Sequence, residues 1–284
     1  MSYNRIIKYN KKTSKKLGWD PEWLGCTEFN QELIDKIKEF QEEHDLDVDG
    51  YLGPATHRRL LLAHEAENEE KTGILIDGET HFFEWDKFKL DLIKPGCYSK
   101  RKRTRHPKMI VTHWDVCSSA AACKRVLENR GISTHFVIDN DGTIIQLVDT
   151  NNVAWHAGKV NSRTIGIDIS TAYYLKYQKK YTSKGLPPKP VLTDSVVHGV
   201  KLKPHLGYYP EQIEAYKALI SFLCAHYKIP LECPRNDEGK LLTKVHPDAA
   251  KARFKGIVNH YNLTRGKIDA IGLKLDEILD ELKK

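Results

Sequence analysis

Residues 65–71 divide this chain. Glu67, Glu69 and Glu70 place charge where a continuous fold would need apolar side chains, so residues 66–71 read as a linker. The hydrophobic pattern differs on its two sides. Before it, Leu33, Ile34, Ile37 and Phe40 recur at i, i+1, i+4 and i+7, the stripe of an amphipathic helix. Asp49-Gly50 marks a turn, and Pro54 in Gly53-Pro54-Ala55-Thr56 starts a second helix through Leu60 to Leu62. Residues 1–65 are therefore expected to form a small all-α module with a tight central loop. The whole chain, 284 residues, exceeds one ordinary core and fits two domains of unequal size.

After the linker, short apolar runs alternate with helical periods. Ile74-Leu75-Ile76 and Phe82-Phe83-Glu84-Trp85 flank Asp77-Gly78 as a hairpin. Met109 to Trp114 reads as a buried strand, followed by a helix from an N-cap at Ser118 to about Asn129, with Gly131 ending it. His135-Phe136-Val137-Ile138 and Thr143 to Val148 flank the hairpin signal Asn140-Asp141-Gly142, and Thr164 to Ser170 is another strand. Pro210 opens a long helix with Ile213, Tyr216, Ile220, Leu223, Cys224 and Tyr227 on one face. Strands interleaved with helices make residues 72–284 an α/β domain, a mixed central sheet flanked by helices. Residues 173–209, rich in Lys, Pro and Tyr and without a period, read as an insertion that walls a cleft, where Lys201 and Lys203 either meet an anionic substrate or stay solvated.

Composition excludes some classes. No window reaches the roughly 18 to 20 apolar residues of a bilayer span, and the start Met-Ser-Tyr-Asn-Arg has no apolar signal region. Cys26, Cys97, Cys117, Cys123, Cys224 and Cys233 form no CxxC pair and read as free thiols. The net charge of +7 suits an anionic partner, either nucleic acid or a bacterial wall polymer. The basic run Lys100 to His106 contains no aromatic residue for base stacking and directly precedes a core strand, so it is expected as a solvated loop and no nucleic-acid partner is expected.

The chemistry lies in a split constellation. His113 closes the run Met109-Ile110-Val111, and far downstream come His260 and, in Lys267-Ile268-Asp269, a carboxylate two residues after a lysine. Two imidazoles and a carboxylate are the three-ligand set of a catalytic zinc with an open fourth position. Asp115 shares a strand face with His113 by period two and is a rival third ligand.

Several blocks in order carry a resemblance: Ile110-Val111-Thr112-His113, Arg130-Gly131-Ile132-Ser133-Thr134-His135-Phe136, Asp141-Gly142-Thr143-Ile144, Ala154-Trp155-His156-Ala157-Gly158, Thr164-Ile165-Gly166-Ile167-Asp168, and His260 to Asp269. Together they make the second domain similar to the type-2, zinc-dependent N-acetylmuramoyl-L-alanine amidases, whose fold is shared by peptidoglycan recognition proteins. The resemblance implies Zn2+ held by His113, His260 and Asp269, with Lys267 stabilising the oxyanion. Asp168 falls where several members carry a catalytic glutamate. It is expected either as general base or, being one methylene shorter, as a strand carboxylate that orients a neighbour. Thr134 sits where some relatives place a catalytic tyrosine, whose role a threonine cannot fill. Trp155, His156 and His135 are expected as substrate contacts, the two histidines alternatively as groups supporting the ligands, and His135 equally as a purely structural residue.

In the first domain, Ile37-Lys38-Glu39-Phe40-Gln41, the run Asp47 to Thr56, and Leu60-Leu61 resemble the peptidoglycan-binding-domain-1 repeat. The resemblances together imply a monomeric peptidoglycan hydrolase that cuts between N-acetylmuramic acid and L-alanine. The expected setting is a phage endolysin, made in the host cytoplasm without a signal peptide and acting at the bacterial wall. Alternatives are an injected antibacterial amidase effector and, on the same fold, a muropeptide-recognition protein that does not cut. A nucleic-acid-binding protein is the weaker rival.

Overall fold

The structure, a computed structural model, describes residues 3–70, 73–102 and 106–284. The chain divides into two units, Met1–Thr72 and Gly73–Lys284.

Among the described residues the first unit has three α-helices, α1 (Tyr3–Leu17), α2 (Gln31–Glu43) and α3 (Pro54–Glu70). Asn30 caps α2 by accepting from the Leu33 amide at 3.1 Å, and the expected stripe Leu33, Ile34, Ile37 and Phe40 is buried. Trp19, Leu52 and Leu60 complete that core. The loop between α2 and α3 is held by two buried amides. Gln41 Oε1 accepts from Asp49 and Gly50 N–H at 3.1 and 2.9 Å, and Asn10 Oδ1 accepts from Leu52 N–H at 2.9 Å. Because α1 turns Asn10 and Thr13 inward beside Ile6, its apolar period is too diluted to read from sequence. α3 continues through residues 66–70, so most of the stretch read as a linker is helical backbone.

The second unit begins with β1 (Gly73–Ile76), β2 (Glu79–Phe82), β3 (Phe88–Leu90) and β4 (Tyr98–Lys100). It continues through β5 (Met109–Trp114), α4 (Ala120–Arg130), β6 (Phe136–Ile138), β7 (Ile144–Gln146), β8 (Asn152–Ala154) and β9 (Thr164–Ile169). After a 3-10 turn, α5 (Lys179–Thr182) and the two-residue strands β10 (Val191–Leu192), β11 (Val196–Val197), β12 (Val200–Lys201) and β13 (His205–Leu206) lead to α6 (Pro210–Tyr227). α7 (Pro247–Ala250), β14 (Gly256–Asn259) and α8 (Leu275–Leu282) close the chain.

Six strands form the expected mixed sheet, in the order β14-β5-β9-β6-β7-β3. β14, β5, β9 and β6 are parallel, and β6 pairs antiparallel with β7 across the Asn140-Asp141-Gly142 turn. β5 and β9 are buried on both faces, which is why their apolar runs do not alternate. One face packs Ile110, Phe136, Ile138, Ile165 and Ile167 against Tyr216, Leu219, Ile220 and Leu223 of α6. The other packs Val137 against Ala120, Cys123 and Leu127 of α4. Ser119, one residue later than expected, caps α4, and Gly131 ends it at φ 62°. Among the described residues no helix is long and apolar enough to cross a membrane.

Two stretches differ from the sequence reading. Arg101 is buried, donating to the carbonyls of Ser162 at 2.7 Å and Asn152 at 2.8 Å, so this part of the basic run is an internal tie and not a solvated loop. Arg103, Thr104 and Arg105 lie outside the described residues. The insertion at 173–209 is not irregular: β10 pairs with β13 and β11 with β12 as nested antiparallel ladders, each too short to leave a period. It is anchored by Lys189, whose Nζ donates to Gln212 Oε1 at 2.7 Å and Ser170 O at 3.1 Å and lies 4.2 Å from the Tyr209 ring centre.

Burial pulls the Lys189 ammonium down to about 7 against the attraction of Asp115. A lysine depressed in the fold binds fewer protons there than in the unfolded chain. Stability is therefore expected to rise with pH between about 7 and the ordinary lysine value near 10.5. Denaturant unfolding across that window should show the slope in the parent chain and a flatter profile in Lys189→Met.

Candidate active site

The carboxyl ends of three adjacent parallel strands carry the candidate site. β5 ends on His113-Trp114, β9 on Asp168-Ile169, and His260 directly follows β14. The register sets His113 opposite Asp168, and Thr112 opposite Asn259. In open α/β sheets ligands gather at this edge, where strands hand over to loops. Period two turns Thr112 toward α6, where its hydroxyl shares a 2.6 Å hydrogen bond with Tyr216, and turns His113 to the α4 face.

There His113 Nδ1, His260 Nδ1 and Asp269 Oδ2 form a nearly equilateral triangle. The edges are 3.0 Å between the nitrogens, 3.0 Å from His113 to Asp269 and 2.9 Å from His260 to Asp269. An imidazole nitrogen has one in-plane orbital, so it cannot bond along two edges at once. Three such donors instead suit a shared cation: tetrahedral zinc with bonds of about 2.0–2.1 Å sets its ligand atoms roughly 3.3 Å apart. Burial pulls the His113 imidazole down to about 4, aided by the neighbouring His260, so it is neutral and ready to donate a lone pair. Burial alone would raise the Asp269 carboxyl, but the two imidazoles beside it, His113 and His260, hold it well below the usual range, as an anion. The donor set fits a divalent zinc ion.

A cavity of about 200 Å³ opens beside the triangle and is lined also by Asp168, Lys267, Trp155 and His156. Asp168 is only 7% exposed. Burial, then the charges of Asp115 and Asp269, push its carboxyl well above the carboxylate range, and the Cys123 thiol is 3.9 Å away. Lys267 is exposed at the rim. Its carbonyl lies 3.1 Å from His198 Nε2, on the tip between β11 and β12. The insertion therefore touches the site through the Lys267 backbone, and none of residues 173–209 lines this cavity. Lys201 pairs with Asp194 at 2.9 Å, away from it.

The structure separates the remaining candidates. Asp115 does not join the triangle, because its carboxylate is taken by Cys117 N–H at 2.8 Å, the Ser170 hydroxyl at 2.7 Å and Thr171 N–H at 3.0 Å. Trp155 reaches the cavity, its indole donating to Ser99 at 3.3 Å. His135 does not: fully buried, it accepts from Gly166 N–H at 3.0 Å, and its Nε2 faces the Asn152 carbonyl at 3.2 Å. Thr134 is likewise buried and absent from the cavity wall. Cys117, Cys123 and Arg130, none of them expected at the site, also line the cavity, from α4 and the loop before it. Only their position after the His113 strand could have signalled that placement.

Comparison with known proteins adds the following. Residues 103–269 match the family described as N-acetylmuramoyl-L-alanine amidase, and residues 15–60 match a putative peptidoglycan binding domain. Comparison with curated proteins returns no match. Similar solved structures include an endolysin N-acetylmuramoyl-L-alanine amidase from Clostridium intestinale, 18% identical over 71% of this chain and 99% of that one, with a TM-score of 0.44. Another is the Staphylococcus aureus hydrolase AmiA in complex with its ligand, 14% identical over 70% of this chain and 84% of that one, with a TM-score of 0.45. A mutant endolysin from Bacillus subtilis is 20% identical over 68% of this chain and 96% of that one, with a TM-score of 0.38.

Proposed function

Since the chain belongs to the N-acetylmuramoyl-L-alanine amidase family, we propose that it hydrolyses the amide between N-acetylmuramic acid and L-alanine with zinc held by His113, His260 and Asp269. The observation that carries this reading is the 2.9–3.0 Å triangle of two imidazole nitrogens and a carboxylate oxygen. Zinc, when bound there, supplies a Lewis acid that polarises the carbonyl and lowers the pKa of water toward about 7.

The side chains supply the rest. Asp168, protonatable because it is desolvated and flanked by other carboxylates, takes the proton of the attacking water and delivers it to the leaving nitrogen. The new bond joins the water oxygen to the lactyl carbonyl carbon. The C–N bond breaks, leaving a carboxylate on the sugar and a free L-alanine amine. Lys267 opposes the charge that develops on the carbonyl oxygen, and Trp155 gives the substrate an apolar wall.

Retention of all three ligand groups favours a hydrolase over a muropeptide-recognition protein. Residues 15–60, matching a peptidoglycan binding domain, suit digestion of an intact wall by a monomeric enzyme of the endolysin kind. Metal analysis tests the reading, with one zinc per chain expected, and a purified chain that binds none would overturn it. Lys267→Ala is expected to keep its zinc while losing about 10²–10³ in kcat, the cost of removing one oxyanion partner. The assay counts new L-alanine amino termini on purified peptidoglycan.

A further inference from the structure

His156 lines the cavity, yet both of its ring nitrogens face protein groups. Nδ1 lies 2.9 Å from His113 Nε2, and Nε2 lies 3.0 Å from the Thr164 hydroxyl. The Thr164 oxygen in turn is 3.3 Å from each of the Val160 and Asn161 carbonyls, which can only accept. Those carbonyls fix the direction of every proton in the row. The Thr164 hydroxyl donates to them and so accepts from His156 Nε2–H, which leaves His156 Nδ1 bare to accept from His113 Nε2–H. An imidazole protonated at Nε2 carries its lone pair on Nδ1, the atom that faces His260 and Asp269.

We infer that His156 is a positioning residue for His113, holding it in the tautomer and ring orientation that present Nδ1 to the metal. The inference rests on the reading that His113, His260 and Asp269 hold zinc. The local fold supports it. Asn161 Oδ1 accepts from the Ala157 amide at 2.6 Å and the His156 amide at 3.3 Å, fixing the loop. Gly166 on β9 leaves room for the ring, because a Cβ there would lie 2.7 Å from His156 Cγ and Nδ1. The His113 and His156 rings meet edge to face, with centroids 5.2 Å apart. Without His156, the His113 proton has a competing place on Nδ1, where Asp269 Oδ2 waits 3.0 Å away, and zinc must then displace it.

The test measures zinc affinity of the full chain by competition with a chromophoric chelator, alongside kcat and KM. His156→Ala is expected to bind zinc about 10–100-fold more weakly, the usual effect of removing a group that orients a metal-ligating histidine. At saturating zinc its KM should stay near the parent value. His156→Asn, which can place an amide oxygen where Nδ1 was, should recover most of the affinity. Thr164→Val should weaken binding in the same direction but less. Nitrogen-15 spectra of metal-free protein should show His113 protonated at Nε2 in the parent and not in His156→Ala. Parent-like zinc affinity in His156→Ala together with a raised KM would make His156 a substrate contact and overturn the inference alone. A parent chain that binds no zinc would overturn the reading beneath it as well.

Discussion

His113→Ala is expected to lose both its zinc and its amidase activity, with a rate at least about 10⁴-fold below the parent. Losing a Lewis acid worth several kcal/mol accounts for that factor, at about 1.36 kcal/mol per tenfold. The substitution removes one corner of a triangle whose other two members, His260 and Asp269, stay 2.9 Å apart, too few to hold the ion. Stripping the parent with a chelator should reproduce the loss, and adding zinc should restore the parent but not the variant. Metal content by emission spectroscopy and release of L-alanine amino termini are the two readouts. A variant that keeps its zinc would place the metal elsewhere, with the cluster of Asp115, Cys117 and Cys123 the next group of donors.

Asp168→Asn is expected to keep its zinc and lose about 10²–10⁴ in kcat, the range for removing a general acid–base group. Its carboxyl stands outside the ligand triangle but in the same cavity. Burial and the nearby Asp115 and Asp269 carboxylates raise its pKa. A base works only when deprotonated, so the rate of the zinc-loaded parent should climb with pH through an acid limb set by Asp168. Asparagine cannot titrate, and the variant should lose that limb along with the rate. A loss below about tenfold with the limb retained would make Asp168 a carboxylate that only orients its neighbour Cys123.

How much of this was legible in the sequence depended on the range of the interaction. The apolar runs of β5 and β9, the Asn140-Asp141-Gly142 hairpin and the α6 stripe are local patterns, and each stands where the pattern placed it. His113, His260 and Asp269 were legible as residue types in order. The two histidines converge because β14 pairs with β5, a pairing no local pattern encodes, and Asp269 is brought beside them by its carbonyl accepting from Tyr261 N–H at 3.0 Å. Three of the misreadings share one cause, polar side chains that serve the interior. Arg101 looked like part of a solvated run until four backbone carbonyls surrounded it. His135, expected at the substrate, is consumed by the backbone of Gly166 and Asn152. α1 hid because Asn10 and Thr13 occupy core positions. Nor could spacing reveal that the insertion reaches the site through the Lys267 carbonyl, since that contact joins residues 69 apart.

Digestion of purified peptidoglycan by the full chain with zinc, followed by mass spectrometry of the products, tests the central claim most directly. The account predicts intact glycan strands and free stem peptides that begin with a new L-alanine amino terminus, and neither product from the His113→Ala variant. Cleaved glycan strands, stem peptides cut at an internal bond, or no products from a zinc-loaded chain would contradict it.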